Sequence, residues 1–292
     1  MKIVFIGLGT MGLPMAVNLV KAGYDVHGFN RSDAKVAALV AAGGIAGGVL
    51  DSEVEDADVI ITVLPDSPDV RAVLLGPDGI VGRLPEGSTV IDMSTVTPTL
   101  AVEVAQAAAA QRVSALDAPV SGGEAGAIEG SLSIMVGGEA DVVEQRRGLL
   151  EAMGQTVVHV GGHGAGQTVK AANQLLVAAT IQAVAEALTF LDASAVDLEP
   201  AVQVLAGGLA GNRILDRKSA SMLAHDFRPG FRVELHHKDL GILLDAARRV
   251  RVPLPVGALV SQLMESSLAR GDGALDHTAL LRGVEQMAGR GR

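Results

Sequence analysis

The chain has no cysteine and no tryptophan, and it has one tyrosine and five phenylalanines among 292 residues. Without thiols there are no disulfides, thiolate metal sites or cysteine nucleophiles, which fits a reducing compartment. So few aromatics leave no platform on which nucleic-acid bases would stack. Positive charge is also short. The formal net charge of −10 repels phosphate backbones, and the one basic cluster is the short run from Arg248 to Arg251, so nucleic acid is not an expected partner. The longest apolar stretch, 175–191, is interrupted by Gln182 and Glu186 and is short of the roughly 20 residues of a bilayer span. A buried helix is expected there, and no membrane association. Met1 and Lys2 run straight into an apolar strand and then glycines, with no signal-like segment, so a cytoplasmic location is expected.

What the sequence does have is apolar residues at 49% and charged residues at only 19%, the balance of a folded globular protein. Its length suits two domains. Over residues 1–160, β-rich runs at 3–6, Asp25–Phe29, 59–64, Thr89–Asp92 and 113–116 alternate with Ala-rich helical stretches. That rhythm predicts βαβ units around a parallel sheet. Beyond residue 160 strand-like runs almost vanish, and a helical stretch from about 165 to 195 opens an all-helical half. The expected architecture is α/β: a Rossmann-type dinucleotide-binding domain at 1–162, then an all-α domain at 163–292 joined through a long helix. Gly161-Gly162-His163-Gly164-Ala165-Gly166 lies at the change of texture.

Gly7-Leu8-Gly9-Thr10-Met11-Gly12 fits G-x-G-x-x-G, a weak signal alone in a chain with 36 glycines. Here it follows an apolar strand and opens a helical run, so its turn would deliver a pyrophosphate to a helix N-terminus. The second strand ends at Asn30-Arg31, where NAD-preferring proteins usually place an acid for the ribose 2′-hydroxyl. An amide and a guanidinium suit a 2′-phosphate instead, which favours NADP(H). NAD(H) remains the alternative, with Asp33 on the ribose and Arg31 merely solvated. Leu64, Pro65 and Thr95 are further candidate cofactor contacts. His159 and His163 have metal-like spacing but sit among glycines without thiolate partners, and no metal is expected.

Three further segments follow in order: Asp117-Ala118-Pro119-Val120-Ser121-Gly122-Gly123, then Gly164-Ala165-Gly166-Gln167-Thr168-Val169-Lys170-Ala171-Ala172-Asn173-Gln174, then Leu235-His236-His237-Lys238-Asp239-Leu240. Together with the glycine loop, the chain resembles the β-hydroxyacid dehydrogenase family over essentially its whole length. Gly207-Gly208-Leu209-Ala210-Gly211 and Pro229-Gly230-Phe231-Arg232 bring it nearest the subfamily that reduces tartronate semialdehyde. The resemblance implies a Rossmann domain and a helical domain with the active site in the cleft between them. It makes Lys170 the proton donor to a carbonyl reduced by hydride from the nicotinamide, and burial would lower its pKa toward neutrality. Asn173 and Gln174, three and four positions on, share its helix face and are candidates for holding the lysine or the substrate oxygens. Some relatives carry two asparagines here, and Gln174 replaces the second.

Ser121 and the backbone N–H groups of Gly122 and Gly123 would grip a substrate carboxylate. Pro119-Val120-Ser121-Gly122-Gly123 lacks a nucleophile-elbow pattern, which argues against a hydrolase. Lys238 resembles a family lysine reaching the cofactor, with Asp239 either orienting it or capping local backbone. His236 is a candidate for reading the substrate hydroxyl. The expected partner is a small carboxylate-bearing aldehyde or hydroxy acid, and the expected assembly a homodimer or homotetramer. Alternatives are a 3-hydroxyisobutyrate or succinate semialdehyde enzyme, an imine reductase, against which Lys170 argues, and a redox-sensing nicotinamide-binding module, since a Rossmann fold alone does not prove catalysis.

Overall fold

The computed structural model describes residues 1–291 and divides into two compact units, Met1–Lys170 and Ala171–Arg292. The first unit is built on strands β1 (Lys2–Ile6), β2 (Asp25–Phe29), β3 (Ile45–Ala46), β4 (Val59–Thr62), β5 (Thr89–Asp92), β6 (Ser114–Asp117), β7 (Val120–Ser121), β8 (Ser133–Gly137) and β9 (Thr156–Gly161). Helices α1 (Gly12–Lys21), α2 (Asp33–Ala41), α3 (Leu50–Val54), α4 (Ser67–Leu75), α5 (Pro98–Ala110), α6 (Gly123–Glu129) and α7 (Ala140–Glu151) connect them. The sheet order is β3-β2-β1-β4-β5-β6-β8-β7, with β9 also paired to β8. From β3 to β6 all neighbours are parallel.

Burial on both faces explains why these strands read as continuous apolar runs rather than alternating ones. Ile3 and Phe5 of β1 enter one core cluster with Met15, Leu19 and Ile134. Val4 and Ile6 enter the other, with Val70, Leu100 and Val104 from α4 and α5. Because β2 lies on one side of β1 and β4 on the other, the chain reverses direction across the sheet at the carboxyl end of β1. That crevice is where open α/β sheets bind ligands.

The parallel sheet expected from the βαβ rhythm runs from β3 to β6, and the far edge is mixed. β8 runs antiparallel to β6 and to β7 and parallel to β9. Two-residue strands such as β3 and β7 are too short to register as a period, and β9 is largely exposed, with little apolar patterning.

The second unit contains most of α8 (Ala165–Ala193), with α9 (Leu198–Gly207), α10 (Arg213–Leu223), α11 (Val233–Val250), α12 (Pro255–Ala269) and α13 (Leu280–Met287). Its core forms along one stripe of α8. Ala171, Ala178 and Ile181 pack with Leu240, Val260 and Met264, and Val184, Ala185 and Leu188 pack with Leu215, Met222 and Leu281. Their steps of three and four residues are those of a helix buried on one side. By length and composition α8 is also apolar enough to cross a membrane, with a mean hydropathy of 1.6 over its most apolar window, 44% of which is buried within the protein.

The division falls after Lys170, later than the textural change at 162/163, and hydrogen bonds explain it. Both carboxylate oxygens of Asp117, at the end of β6, accept from the start of α8: Oδ1 from the Gly164 N–H at 2.7 Å and Oδ2 from the Gln167 N–H at 2.9 Å. This carboxylate satisfies N-terminal donors that have no partner within the helix and ties the first turns of α8 to the sheet unit.

Candidate active site

The glycine turn follows β1 directly. Gly7 has φ +103°, and a Cβ there would lie 2.2 Å from the Val63 carbonyl oxygen, so only glycine fits. A Cβ on Gly9 would meet nothing within 4 Å, which leaves open space above the loop. α1 begins without a side-chain cap and without an acidic residue in its first turn. An uncapped helix N-terminus, open space and no competing anion fit the pyrophosphate of a dinucleotide. Leu8 is buried and Thr10 exposed, while Met11 is half-buried at the N-cap position and Gly12 begins the helix.

Asn30 is tied to this turn, its Oδ1 accepting the Leu8 N–H at 3.1 Å. Arg31 and Asp33 beside it are both exposed, and Arg31 carries no ion pair among the described residues. The next two strands supply a second shelf. Ser94 Oγ accepts the Leu64 N–H at 2.8 Å, placing Leu64 and Pro65 after β4 against the segment after β5 that carries Thr95. Beneath it, Asp92 Oδ1 accepts from the Thr62 hydroxyl at 2.8 Å and from the Ser94 N–H at 3.1 Å. Burial pushes the Asp92 carboxyl up to about 6 despite those two bonds, with neighbouring Asp117 adding to the rise. Burial raises Asp117 as well, against the N–H donors of Gly164 and Gln167.

Ser121 ends β7, and Gly122, with φ +143°, turns the chain into α6. Gly122 and Gly123 are exposed, and a Cβ on Gly123 would meet nothing within 4 Å. In α8 the buried stripe continues toward the N-terminus but changes chemistry. Gln167, Lys170 and Gln174 are buried at 1%, 7% and 4% exposure. They lie at one end of a buried face that also carries Gln182 and Thr189 among its apolar residues, and buried polar groups of this kind need partners.

In the helical unit Asn173 Nδ2 donates to Gln174 Oε1 at 2.9 Å, and Gln174 Nε2 donates to Asp239 Oδ2 at 2.6 Å. The other Asp239 oxygen lies 3.0 Å from Lys238 Nζ. Asn173, Gln174 and Lys238 are therefore gathered around Asp239, through two hydrogen bonds and one ion pair. His236 is not a surface residue. It has no solvent exposure, its Nδ1 is 2.9 Å from His277 Nδ1, and its Nε2 is 3.1 Å from the Gln174 carbonyl oxygen. Phe231 packs edge-on against both rings. Both ring nitrogens of His236 thus lie within hydrogen-bond distance of groups in the same unit. His237, one position on, instead faces Glu265 at 2.9 Å. His159 contacts the Gly138 carbonyl, and among the described residues no group of three or more His, Asp or Glu is arranged to hold a metal ion.

Residues 2–161 match the family model described as the NAD binding domain of 6-phosphogluconate dehydrogenase, and residues 164–284 that of the NAD-binding of NADP-dependent 3-hydroxyisobutyrate dehydrogenase. The 2-hydroxy-3-oxopropionate reductase of Escherichia coli is 41% identical over 99% of this chain and 98% of its own. The 2-(hydroxymethyl)glutarate dehydrogenase of Eubacterium barkeri is 38% identical over 99% and 96%. A solved structure of Mycobacterium tuberculosis 3-hydroxyisobutyrate dehydrogenase with L-serine superposes with a TM-score of 0.85 at 32% identity, covering 96% of this chain and 97% of that one.

Glycine turn, sheet order and these likenesses define a nicotinamide-dependent oxidoreductase acting on a hydroxyl or aldehyde group. The chain belongs to the β-hydroxyacid dehydrogenase family.

Thr62, Asp92 and Ser94, which organise the shelf after β4 and β5, belong to no motif in the sequence. Their only signal was polarity at the ends of apolar strands.

Proposed function

We propose that this enzyme reduces tartronate semialdehyde, 2-hydroxy-3-oxopropanoate, to glycerate, with Lys170 as general acid and NADP(H) as the preferred cofactor. The observation that carries the reading is Lys170 itself. It is a lysine held 7% exposed on the polar end of a buried stripe, in the same unit as the glycine turn and the Ser121-Gly122-Gly123 turn. The likeness to a 2-hydroxy-3-oxopropionate reductase supports the substrate.

A bound nicotinamide supplies the hydride. Lys170 stabilises the charge that grows on the carbonyl oxygen and donates the proton that completes the alcohol, and in the reverse direction it accepts that proton. Ser121, Gly122 and Gly123 hold the substrate carboxylate through one hydroxyl and backbone N–H groups. Asn173 and Gln174, steadied by Asp239, keep amide groups on the lysine's helix. Gly9 leaves room for the pyrophosphate while Gly7 and Gly12 let the turn close against Val63 and on itself, and exposed Arg31 is placed for a 2′-phosphate, with Asn30 bracing the turn behind it. Lys238, steadied by Asp239, completes the cofactor contacts. We also propose a homodimer or homotetramer, for which exposed Leu176 and Phe190 of α8 supply apolar surface.

The test is a grid of initial rates with NADPH and NADH against tartronate, methylmalonate and succinate semialdehydes. A maximum in kcat/KM for tartronate semialdehyde with NADPH is expected. A maximum for methylmalonate semialdehyde would move the chain to the 3-hydroxyisobutyrate reading, and no turnover with any of the three would refute a semialdehyde reductase. Lys170→Met is expected to lower kcat by about 10² to 10⁴ while cofactor binding is retained, the usual weight of a general acid.

A further inference from the structure

Gln167 is among the most deeply buried polar residues of the protein, at 1% exposure, and both hydrogen bonds of its carboxamide go to backbone groups. Nε2 donates to the Ser94 carbonyl oxygen at 2.8 Å, and Oε1 accepts the Val96 N–H at 3.0 Å. These two groups belong to the peptide units immediately before and after Thr95. One carboxamide thus pins both planes that set the Thr95 backbone. Ser94 is held from the other side by Asp92 and by the Leu64 N–H, so the segment has little freedom left. Gln167 is itself fixed, since its own N–H donates to Asp117 Oδ2 at 2.9 Å.

Lys170 lies three residues further along the same helix, where side chains share a face. We infer that Gln167 is a positioning residue for the reaction: its carboxamide sets the Thr95 segment after β5 at a fixed place relative to Lys170. The inference rests on the proposed role of Lys170. Its physical basis is that a general acid works only when carbonyl and donor are held in register, and a misplacement of about 1 Å can cost about 10²-fold in rate. A glutamine suits the task because it offers a donor and an acceptor on one rigid plane without placing a charge beside two buried carboxyls.

The experiment compares Gln167→Met, Lys170→Met and the double variant in the full-length enzyme. Gln167→Met keeps the volume and removes both bonds. Expected are a kcat lower by about 10- to 100-fold, a coenzyme dissociation constant that rises by less than kcat falls, since Thr95 is one of several candidate cofactor contacts, and a larger primary isotope effect with 4-deuterated coenzyme. In the Lys170→Met background the Gln167 change should cost nothing further, because there is no longer an acid to position. Losses that multiply in the double variant, or an unchanged kcat in the single one, overturn the inference. Amide exchange reads the clamp independently of turnover: the Val96 N–H should lose protection in Gln167→Met while Thr89–Asp92 keeps it. If Lys170→Met retains full activity, the reading of Lys170 fails. Unchanged Val96 protection instead refutes the clamp alone. Gln167→Asn, too short to hold both peptides, is the second variant should the methionine form not fold, with the same loss expected.

Discussion

Asp92 in the sheet unit and Asp276 in the helical unit are equally buried, at 3% and 2% exposure, yet their carboxyl groups are driven in opposite directions. Asp92 uses one oxygen for Thr62 and Ser94, and its Oδ2 has no hydrogen-bond partner. Burial leaves it at about 6. At Asp276 burial also acts upward, but His277, Lys218 and the Phe231 N–H outweigh it and bring the group to about 2. Both oxygens there are saturated: the Gly230 and Phe231 N–H groups donate to Oδ2, the Thr278 N–H and hydroxyl donate to Oδ1, and Lys218 reaches both. Depth alone therefore does not decide the protonation of an interior carboxyl; the supply of donors does. The helical unit uses its aspartate as a structural hub. The sheet unit carries a half-satisfied one beneath the shelf that would receive a cofactor, where perturbed groups tend to gather.

Removing the hub should have the largest effect. Asp276→Ala strands Lys218 and several backbone donors, and a loss of about 3 to 5 kcal/mol is expected, the cost of breaking a buried charged network from one side. Denaturant unfolding followed by circular dichroism measures it, and a loss under about 1 kcal/mol would erase the contrast with Asp92.

The pH dependence comes next and has opposite signs in the two units. The folded protein prefers protonated Asp92, so its contribution is full below about pH 4, falls as pH rises toward 6 and stays lost above, by about 3 kcal/mol. Asp276 contributes fully above about pH 4, and its contribution is lost as pH falls through 2, by about 2 kcal/mol. Asp92→Asn, which keeps an acceptor for Thr62 and Ser94, should therefore stabilise the protein at pH 8 and not at pH 4. Calorimetry at the two pH values checks this, and equal shifts at both would show that Asp92 is not the titrating group.

A smaller effect sharpens the comparison without touching charge. Gly7→Ala presses a methyl group on the Val63 carbonyl and should cost about 1 to 3 kcal/mol, with cofactor binding lost by fluorescence titration. Unchanged cofactor affinity would remove the glycine turn from the binding site.

The glycine turn was legible in the sequence because all its parts are local: a strand, six residues and a helix start. The alternation of strands and helices was legible for the same reason, as was the change to helices after residue 160. What escaped detection depends on distance along the chain. Gln167 acts on groups 71 and 73 residues away, and Asp117 on groups 47 and 50 away, so spacing carries no trace of either bond. Both residues stood inside motif segments, but as letters of a pattern rather than as donors and acceptors. His236 shows the converse. Its neighbourhood in sequence suggested a pocket, while the His277 ring that it meets lies 41 residues further along the chain.

That histidine pair has a proton count of its own. The Gln174 carbonyl can only accept, so His236 Nε2 bears a hydrogen, and the 2.9 Å between the two Nδ1 atoms admits just one more. The neutral pair therefore holds two ring protons, one facing the Gln174 carbonyl and one between the two rings.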